Sequence, residues 1–211
     1  EKRPEKIIGV LDTYHSQGGW AVARACQILG KQCFNFYPSF KAEPGPRQPQ
    51  LEAKALGATL VPLKAGRSAI LYHAVKKQVA AMQCGYVVPN ALKLVESVTE
   101  TTKECRYVEG RWDAVVIPSS SATIASGVIA GMSDRVGKFI VHLGYSRSHA
   151  EVDDYIRQMS RIWGAPVEIV DEGYAYKDKA RKGPTPSWPC NEFYDLKAFR
   201  WIQANRRRFA E

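Results

Sequence analysis

Residues 113–131 restrict the possible folds of this chain more than any other stretch. They read DAVVIPSSSATIASGVIAG. Residues 114–117 are apolar and β-branched, which predicts a short buried strand that Pro118 closes. The small and apolar residues from Thr123 onward predict a helix. A buried strand that leads through a turn into a helix is the repeating unit of an open α/β sheet.

The turn inside this stretch is rich in hydroxyl groups, with Ala122 among Ser119, Ser120, Ser121 and Thr123. The N-terminus of a helix offers unpaired N–H groups and a positive dipole end, so the turn predicts a phosphate site. The alternative is that the serines only form the turn and cap the helix. The turn lacks the glycines and the Lys-Ser/Thr ending of a nucleotide triphosphatase loop, which argues against that class.

Strands alternate with helices along the whole chain, which predicts an α/β fold with mostly parallel sheets. The predicted strands cover residues 7–11, 33–37, 59–63, 86–89, 112–117, 139–144 and 167–170. The predicted helices cover residues 20–29, 51–56, 68–82, 91–103, 148–163 and 192–205, besides the one after the hydroxyl-rich turn. Gly30 is placed to end the first helix, and Ser148 with Glu151 forms a capping box.

The net charge of +9 is distributed unevenly. Residues 1–82 carry twelve Lys and Arg against five Asp and Glu, a surplus of seven, whereas residues 83–211 have a surplus of two. Such a surplus attracts anionic substrates or partners over long range. A basic surface that serves only solubility explains the same numbers.

The composition also predicts the cellular compartment of the protein and the state of its cysteines. The sequence has no run of 18 apolar residues and no visible export signal, which predicts a cytoplasmic protein outside the membrane. The five cysteines show neither CxxC nor histidine-paired spacing, so we expect free thiols and no metal site.

A second turn, at residues 14–19, follows the first predicted strand and also opens a helix. It carries polar side chains and ends in two glycines, in the sequence YHSQGG. Two such helix N-termini in one α/β chain predict a ligand with two anionic ends.

Four ordered segments resemble one known family. Residues 15–23 resemble its Gln-Ser-Asn loop and following helix, and residues 119–127 resemble its phosphate loop. Residues 142–147 are similar to its Val-Ser-Val-Ser-Arg strand end, and residues 191–198 to its Asp-Pro-Val-Tyr-Glu-Gly-Lys segment. The chain thus resembles the fold-type II, tryptophan-synthase-β-like enzymes that use pyridoxal 5′-phosphate (PLP). Within them it is most similar to the aminocyclopropane-carboxylate deaminase and D-cysteine desulfhydrase branch.

The resemblance assigns roles to individual residues. Ser16, with His15 and Gly18, is expected at the substrate, where Ser16 holds the carboxylate or approaches the α-carbon. Gln17 is expected to bind the ring hydroxyl of PLP, and Tyr194 to act as an acid or base. Asp195 is expected to face the pyridine nitrogen, where a carboxylate keeps that nitrogen protonated. The cofactor's phosphate is expected at Ser119, Ser120, Ser121, Ala122 and Thr123.

Three features depart from the family pattern. The lysine that binds PLP covalently is expected upstream of Glu1, so the sequence is expected to lack an N-terminal portion. The phosphate loop has serines where the family has glycines. Residues 174–179, YAYKDK, replace the glycine and tyrosine landmarks of the deaminases, which leaves the substrate open.

The resemblance implies two α/β domains, at residues 1–82 and 83–211, with the cofactor in the cleft between them. The implied activity is a deaminase or lyase reaction at the α-carbon of a small amino acid or amine, in a homodimer. One alternative is a PLP enzyme whose amino acid is linked to a nucleotide or nucleic acid, which the basic first half favours. Another is a PLP-binding or phosphate-binding homologue without catalysis.

Overall fold

The computed structural model describes residues 4–209 and shows an α/β chain whose paired strands all run parallel within that range. The expected fold class is therefore confirmed. The chain divides after Leu92 into two compact units. The division falls ten residues after the boundary predicted at residue 82, because the strand that follows that boundary pairs within the first sheet.

The first unit is a four-stranded sheet in the order β3-β2-β1-β4 with helices between its strands. Its elements are β1 (Ile7–Leu11), α1 (Gly18–Leu29), β2 (Gln32–Ser39), α2 (Gln48–Ala55), β3 (Thr59–Lys64), α3 (Ser68–Ala80) and β4 (Gly85–Val87). Phe36 and Val75 are completely buried in the core between the sheet and α3. The central position of β1 places the turn that follows it at the middle of the sheet edge.

The second unit contains a three-stranded sheet in the order β5-β6-β7. Its elements are α4 (Val95–Arg106), β5 (Trp112–Ser119), α5 (Thr123–Met132), β6 (Val136–Leu143), α6 (His149–Ser160), β7 (Val167–Val170) and α7 (Asp195–Ala204). Ile129, Phe139 and Ile156 form the centre of its core, and each is completely buried. The core fixes α5 and α6 against β6.

Several local predictions are confirmed by the structure. The helix of the central stretch begins at Thr123, directly after the hydroxyl-rich turn. Gly30 ends α1 in the left-handed conformation, with φ 63°. The Ser148 hydroxyl accepts the Glu151 N–H at 3.3 Å and so caps α6, which is one of the two hydrogen bonds of the predicted capping box.

Several predicted boundaries differ from the structure by a few residues, and two of the differences have a clear physical cause. Strand β5 does not stop at Pro118 but continues to Ser119, with Pro118 opposite His142 in the pairing with β6. A proline removes only one donor, and a strand paired on one side can do without it. The helix predicted from residue 91 begins at Val95, because Ala91 and Leu92 have φ values of 58° and 52° that an α-helix does not permit.

Within residues 4–209, no helix combines the length and the apolar character needed to cross a membrane.

Candidate functional site

The turn after β1 is built around one buried carboxylate, Asp12, which is 2% exposed. Asp12 accepts hydrogen bonds from the Gln50 amide at 2.9 Å, the Asn35 amide at 3.1 Å and the backbone N–H of Thr13 at 2.8 Å. It also accepts the N–H of Gly19 at 3.4 Å, in the first turn of α1. Burial raises the pKa of Asp12, and these hydrogen bonds act in the opposite direction. Asp12 therefore ties β1, β2, α2 and α1 together at one point.

Gly19 can approach Asp12 this closely because it has no side chain. A Cβ atom at position 19 would overlap the carboxylate of Asp12 and the amide of Asn35. The glycine is therefore required by packing, and the start of α1 is held directly against the buried carboxylate.

The residues predicted to contact substrate lie on the outside of this network. The Ser16 hydroxyl is 3.5 Å from Asp12 Oδ1 and accepts the N–H of Gly18 at 3.4 Å. His15 is half-buried, with its ring edge-on to Tyr14 at 5.9 Å, and Gln17 is exposed immediately before α1. The structure thus brings His15, Ser16, Gln17 and Gly18 together in one turn.

The hydroxyl-rich turn joins β5 to α5 in the second unit. Ser119 is buried as the last residue of β5, and its carbonyl accepts the N–H of Gly144 at 2.9 Å. The hydroxyls of Ser121 and Thr123 lie 3.0 Å apart. Ala122 stands between them with φ 65°, a left-handed conformation usual for glycine. The turn therefore contains a left-handed residue of the kind that glycine usually provides, with a hydroxyl group on either side of it.

Two cationic side chains and two tyrosines lie close to the hydroxyl-rich turn. Arg147 donates to the Ser120 carbonyl at 2.7 Å, and the hydroxyl of Tyr145 lies 3.3 Å from that of Ser120. The hydroxyl of Tyr155 lies 3.4 Å from Thr123 Oγ1, and Lys93 Nζ lies 4.3 Å from the centre of the Tyr155 ring.

The two cations affect each other electrostatically. Desolvation and then the neighbouring Arg147 lower the pKa of Lys93, against the smaller effect of Glu151. Cations close enough to repel each other beside a helix N-terminus make an electropositive region. A dianion bound there would relieve that repulsion.

Tyr194 reaches the same turn from the end of the chain. Its ring lies against Gly144, and its hydroxyl is hydrogen-bonded with Ser120. Burial, and then Tyr176 and Tyr145, raise the pKa of Tyr194 above its ordinary value of 10. The Tyr194 hydroxyl therefore remains protonated at neutral pH and is available as a donor.

Asp195 is the first residue of α7 and is exposed. Its Oδ2 accepts the N–H of Asn191 at 3.1 Å. Asp195 therefore lies at the N-terminus of α7, where the helix dipole stabilises a carboxylate whether or not a ligand is bound.

A completely buried lysine, Lys197, supports the residues around Tyr194. Its ammonium group donates to the carbonyl of Gly144 and lies 4.3 Å from the centre of the Tyr174 ring. The N–H of Gly144 in turn donates to the Ser119 carbonyl, and the ring of Tyr194 packs against Gly144. Lys197 thus fixes the backbone that joins the hydroxyl-rich turn to Tyr194, and it has no surface left for a ligand.

Sequence reasoning found the two turns but missed the residues that hold them. Asp12, Asn35 and Gln50 are up to 38 positions apart, and no local pattern connects them. Lys93 occurs in a mostly apolar stretch, PNALKLV, that matches no ligand-binding pattern. Lys197 and Arg147 lie within residues 191–198 and 142–147, which resemble the family, but the resemblance assigned neither of them a role. An apolar strand that ends in a carboxylate, as β1 does before Asp12, was the one available signal.

We expect Asp12→Asn to destabilise the first unit by about 1–3 kcal/mol, because an amide NH₂ would face the NH₂ groups of Asn35 and Gln50. Urea unfolding followed by circular dichroism measures the change. Glu52→Gln, the same chemical change on the surface of α2, is the matched control and should stay within about 0.5 kcal/mol of the wild type. An Asp12→Asn protein as stable as the control would contradict a central role for this carboxylate.

The buried side chain of Lys197 should make the stability of the protein depend on pH. Burial lowers the pKa of Lys197 from its ordinary value of 10.5 to about 8. Between these values the unfolded chain holds a proton on Lys197 that the folded chain has released, so raising the pH favours folding. The stability of the wild type relative to Lys197→Met should therefore increase from pH 8 to pH 10.5 and stay constant below pH 8. Lys103→Met, at an exposed lysine of α4, is the control, and a flat difference for Lys197→Met would refute the prediction.

Comparison with known proteins identifies the family. No protein-family model matches the sequence. The chain is 46% identical over 214 residues to the glycyl-dTMP PLP-dependent decarboxylase of Pseudomonas phage M6, and the match covers 96% of this chain and 77% of the phage protein.

Solved structures show the same fold at low sequence identity. The crystal structure of an ACC deaminase homologue matches 97% of this chain and 70% of its own, with a TM-score of 0.76 and 13% identity. The O-acetylserine-dependent cystathionine β-synthase of Helicobacter pylori matches 81% of this chain and 56% of its own, with a TM-score of 0.50 and 13% identity. With the identity to the phage protein and the four ordered sequence segments, these matches place the chain in the fold-type II family of PLP-dependent enzymes.

Proposed function

We propose that this PLP-dependent enzyme is a decarboxylase that removes the carboxylate of an amino acid carried by a pyrimidine nucleotide. The observation that carries the proposal is the 46% identity to a glycyl-dTMP PLP-dependent decarboxylase over 96% of the chain. The deaminase or lyase reaction expected from the sequence has weaker support, because its structural relative is only 13% identical and the likeness is one of fold.

The donor set around the hydroxyl-rich turn fits the phosphate of PLP. Ser120, Ser121 and Thr123 supply hydroxyls, the start of α5 supplies N–H groups, and Lys93 and Arg147 supply positive charge. We infer that these groups would hold the phosphate. Gln17 would bind the ring hydroxyl, and Asp195 would face the pyridine nitrogen. Bound PLP withdraws electrons from the bonds of the substrate's α-carbon and so stabilises the negative charge that departing CO₂ leaves behind.

The remaining steps depend on side chains of this protein. Ser16 and His15, in the turn held by Asp12, would orient the substrate's carboxylate. Once CO₂ has left, the α-carbon must take up a proton. Tyr194 Oη is the candidate donor, because its hydroxyl is hydrogen-bonded with Ser120 at the hydroxyl-rich turn.

The proposal is tested with the full-length protein, PLP and glycyl-dTMP. We expect release of CO₂, detected with substrate labelled in its carboxylate, together with a nucleotide product that has lost only that group. Aminocyclopropane carboxylate and D-cysteine are offered in parallel, with ammonia as the readout. Release of ammonia from the small amino acids, with glycyl-dTMP left intact, would overturn the proposal in favour of a deaminase or lyase.

The phosphate assignment has its own test. Changing Ser120, Ser121 and Thr123 together to alanine removes hydrogen bonds to a charged group that are each worth about 1.5–3 kcal/mol. We therefore expect the affinity for PLP, measured by absorbance titration of the full-length protein, to fall at least about a hundredfold. Ser148→Ala removes a hydroxyl that only caps a helix, so it should lower stability and leave PLP affinity unchanged. Equal PLP affinities in the triple variant and the wild type would place the phosphate elsewhere.

A further inference from the structure

The segment after β7 replaces the deaminase landmarks, and it is anchored beside the end of β6. The Ser146 N–H donates to the carbonyl of Tyr174 at 2.9 Å, and the Ser146 hydroxyl donates to Asp171 at 2.8 Å. The ring of Tyr174 is buried, with Lys197 at 4.3 Å and Arg181 at 4.8 Å from its centre. The backbone on the N-terminal side of Tyr176 is therefore fixed relative to the hydroxyl-rich turn.

The C-terminal side of Tyr176 is also ordered by local contacts. The Ala175 N–H donates to Asp178 at 2.7 Å, which closes a tight turn around Tyr176 and Lys177. The backbone that carries these two side chains is therefore ordered before any ligand arrives. Tyr176 and Lys177 are thus presented from a preorganised turn.

Tyr176 lies at the edge of the proposed cofactor phosphate site. Its ring is edge-on to Tyr145 at 5.2 Å with an interplanar angle of 86°, and the hydroxyl of Tyr145 lies 3.3 Å from that of Ser120. The residue is 39% exposed. An aromatic ring therefore remains accessible to a ligand a short distance from the phosphate-binding turn.

A cleft lined by several basic side chains lies along the segment that contains Lys177 and Asp178. It measures about 430 Å³ and is lined by Gly173, Tyr174, Lys177, Asp178, Lys179 and Arg181. Lys179 is paired with Glu192 at 2.8 Å, and Arg181 lies 3.5 Å from Glu172. Asp178 is engaged by Ala175. Lys177 has no carboxylate within ion-pairing distance in residues 4–209, so its charge is available to an anion.

We propose that Tyr176 stacks on the pyrimidine ring of the substrate's nucleotide and that Lys177 binds a phosphate of the same nucleotide. This inference rests on the proposed function, and it names the part of the site that recognises the nucleotide. A tyrosine ring suits the task because it stacks on any base with little loss of side-chain entropy. A lysine suits a phosphate as a mobile point charge.

The test measures the dissociation constant of dTMP from the full-length, PLP-loaded protein by isothermal titration calorimetry. We expect Tyr176→Ala to weaken dTMP about tenfold to a hundredfold, the range that loss of base stacking gives, and Tyr176→Phe to bind like the wild type. Tyr107→Ala is the matched control, because Tyr107 is 85% exposed at the end of α4. Lys177→Gln should weaken dTMP more than it weakens thymidine, which has no phosphate.

The results separate this inference from the proposed function. Binding of dTMP that depends on Tyr176 supports the inference even where the wild type fails to decarboxylate glycyl-dTMP. Absence of dTMP binding by the wild type, or equal affinities of the Tyr176→Ala and Tyr107→Ala proteins, overturns it even where decarboxylation occurs. A short thymidine oligonucleotide is titrated beside dTMP, and the tighter of the two identifies a free nucleotide or a DNA strand as the source.

Discussion

Parallel strand pairing is the constraint on which the rest of this structure depends. A parallel pair needs a crossover connection, and the carboxyl ends of neighbouring strands then meet at one edge of the sheet. In the second unit, β5 and β6 end opposite each other, with Ser119 aligned to Leu143. That register lets the Gly144 N–H bind the Ser119 carbonyl. The hydroxyl-rich turn after β5 and the tyrosine and arginine after β6 therefore become neighbours through backbone geometry alone.

The two units each use a buried polar group to fix a turn at this kind of edge. In the first unit Asp12 accepts four hydrogen bonds, which come from a strand, two helices and the turn itself. In the second unit Lys197 donates to the backbone carbonyl of Gly144. Burying a charge costs free energy unless hydrogen bonds satisfy it. In both units some of those bonds are made with the backbone of a segment that carries candidate ligand-binding residues. Each buried polar group thus costs free energy on burial, and its hydrogen bonds give a nearby loop a defined conformation.

The parts of the site that local patterns encode could be predicted, and the parts that depend on tertiary contact could not. The hydroxyl-rich turn is contiguous, so its position before α5 follows from the strand and helix signals on either side. The contact between Lys93 and Tyr155 joins residues 62 positions apart, and it depends on how α4 and α6 pack. The left-handed conformation of Ala91, which delays the start of α4, is held by its surroundings against the preference of alanine for a helix.

The residues proposed to hold the cofactor's phosphate and those proposed to recognise the nucleotide lie on different loops of the second unit. The fold is shared with an ACC deaminase homologue at 13% identity, so it does not by itself select a substrate. The side chains proposed to hold the cofactor's phosphate come from the turn between β5 and α5, from the segment after β6 and from Lys93, shortly before α4. The turn after β7 approaches this group through the ring contact of Tyr176 with Tyr145. Tyr174 holds this turn in place through its contacts with Ser146 and Lys197. Because neither residue belongs to the proposed phosphate site, we expect changes at the turn's exposed residues to have little effect on cofactor binding. A family that keeps one cofactor and varies its substrates would be expected to vary at such a turn, which is where this sequence departs from the deaminases.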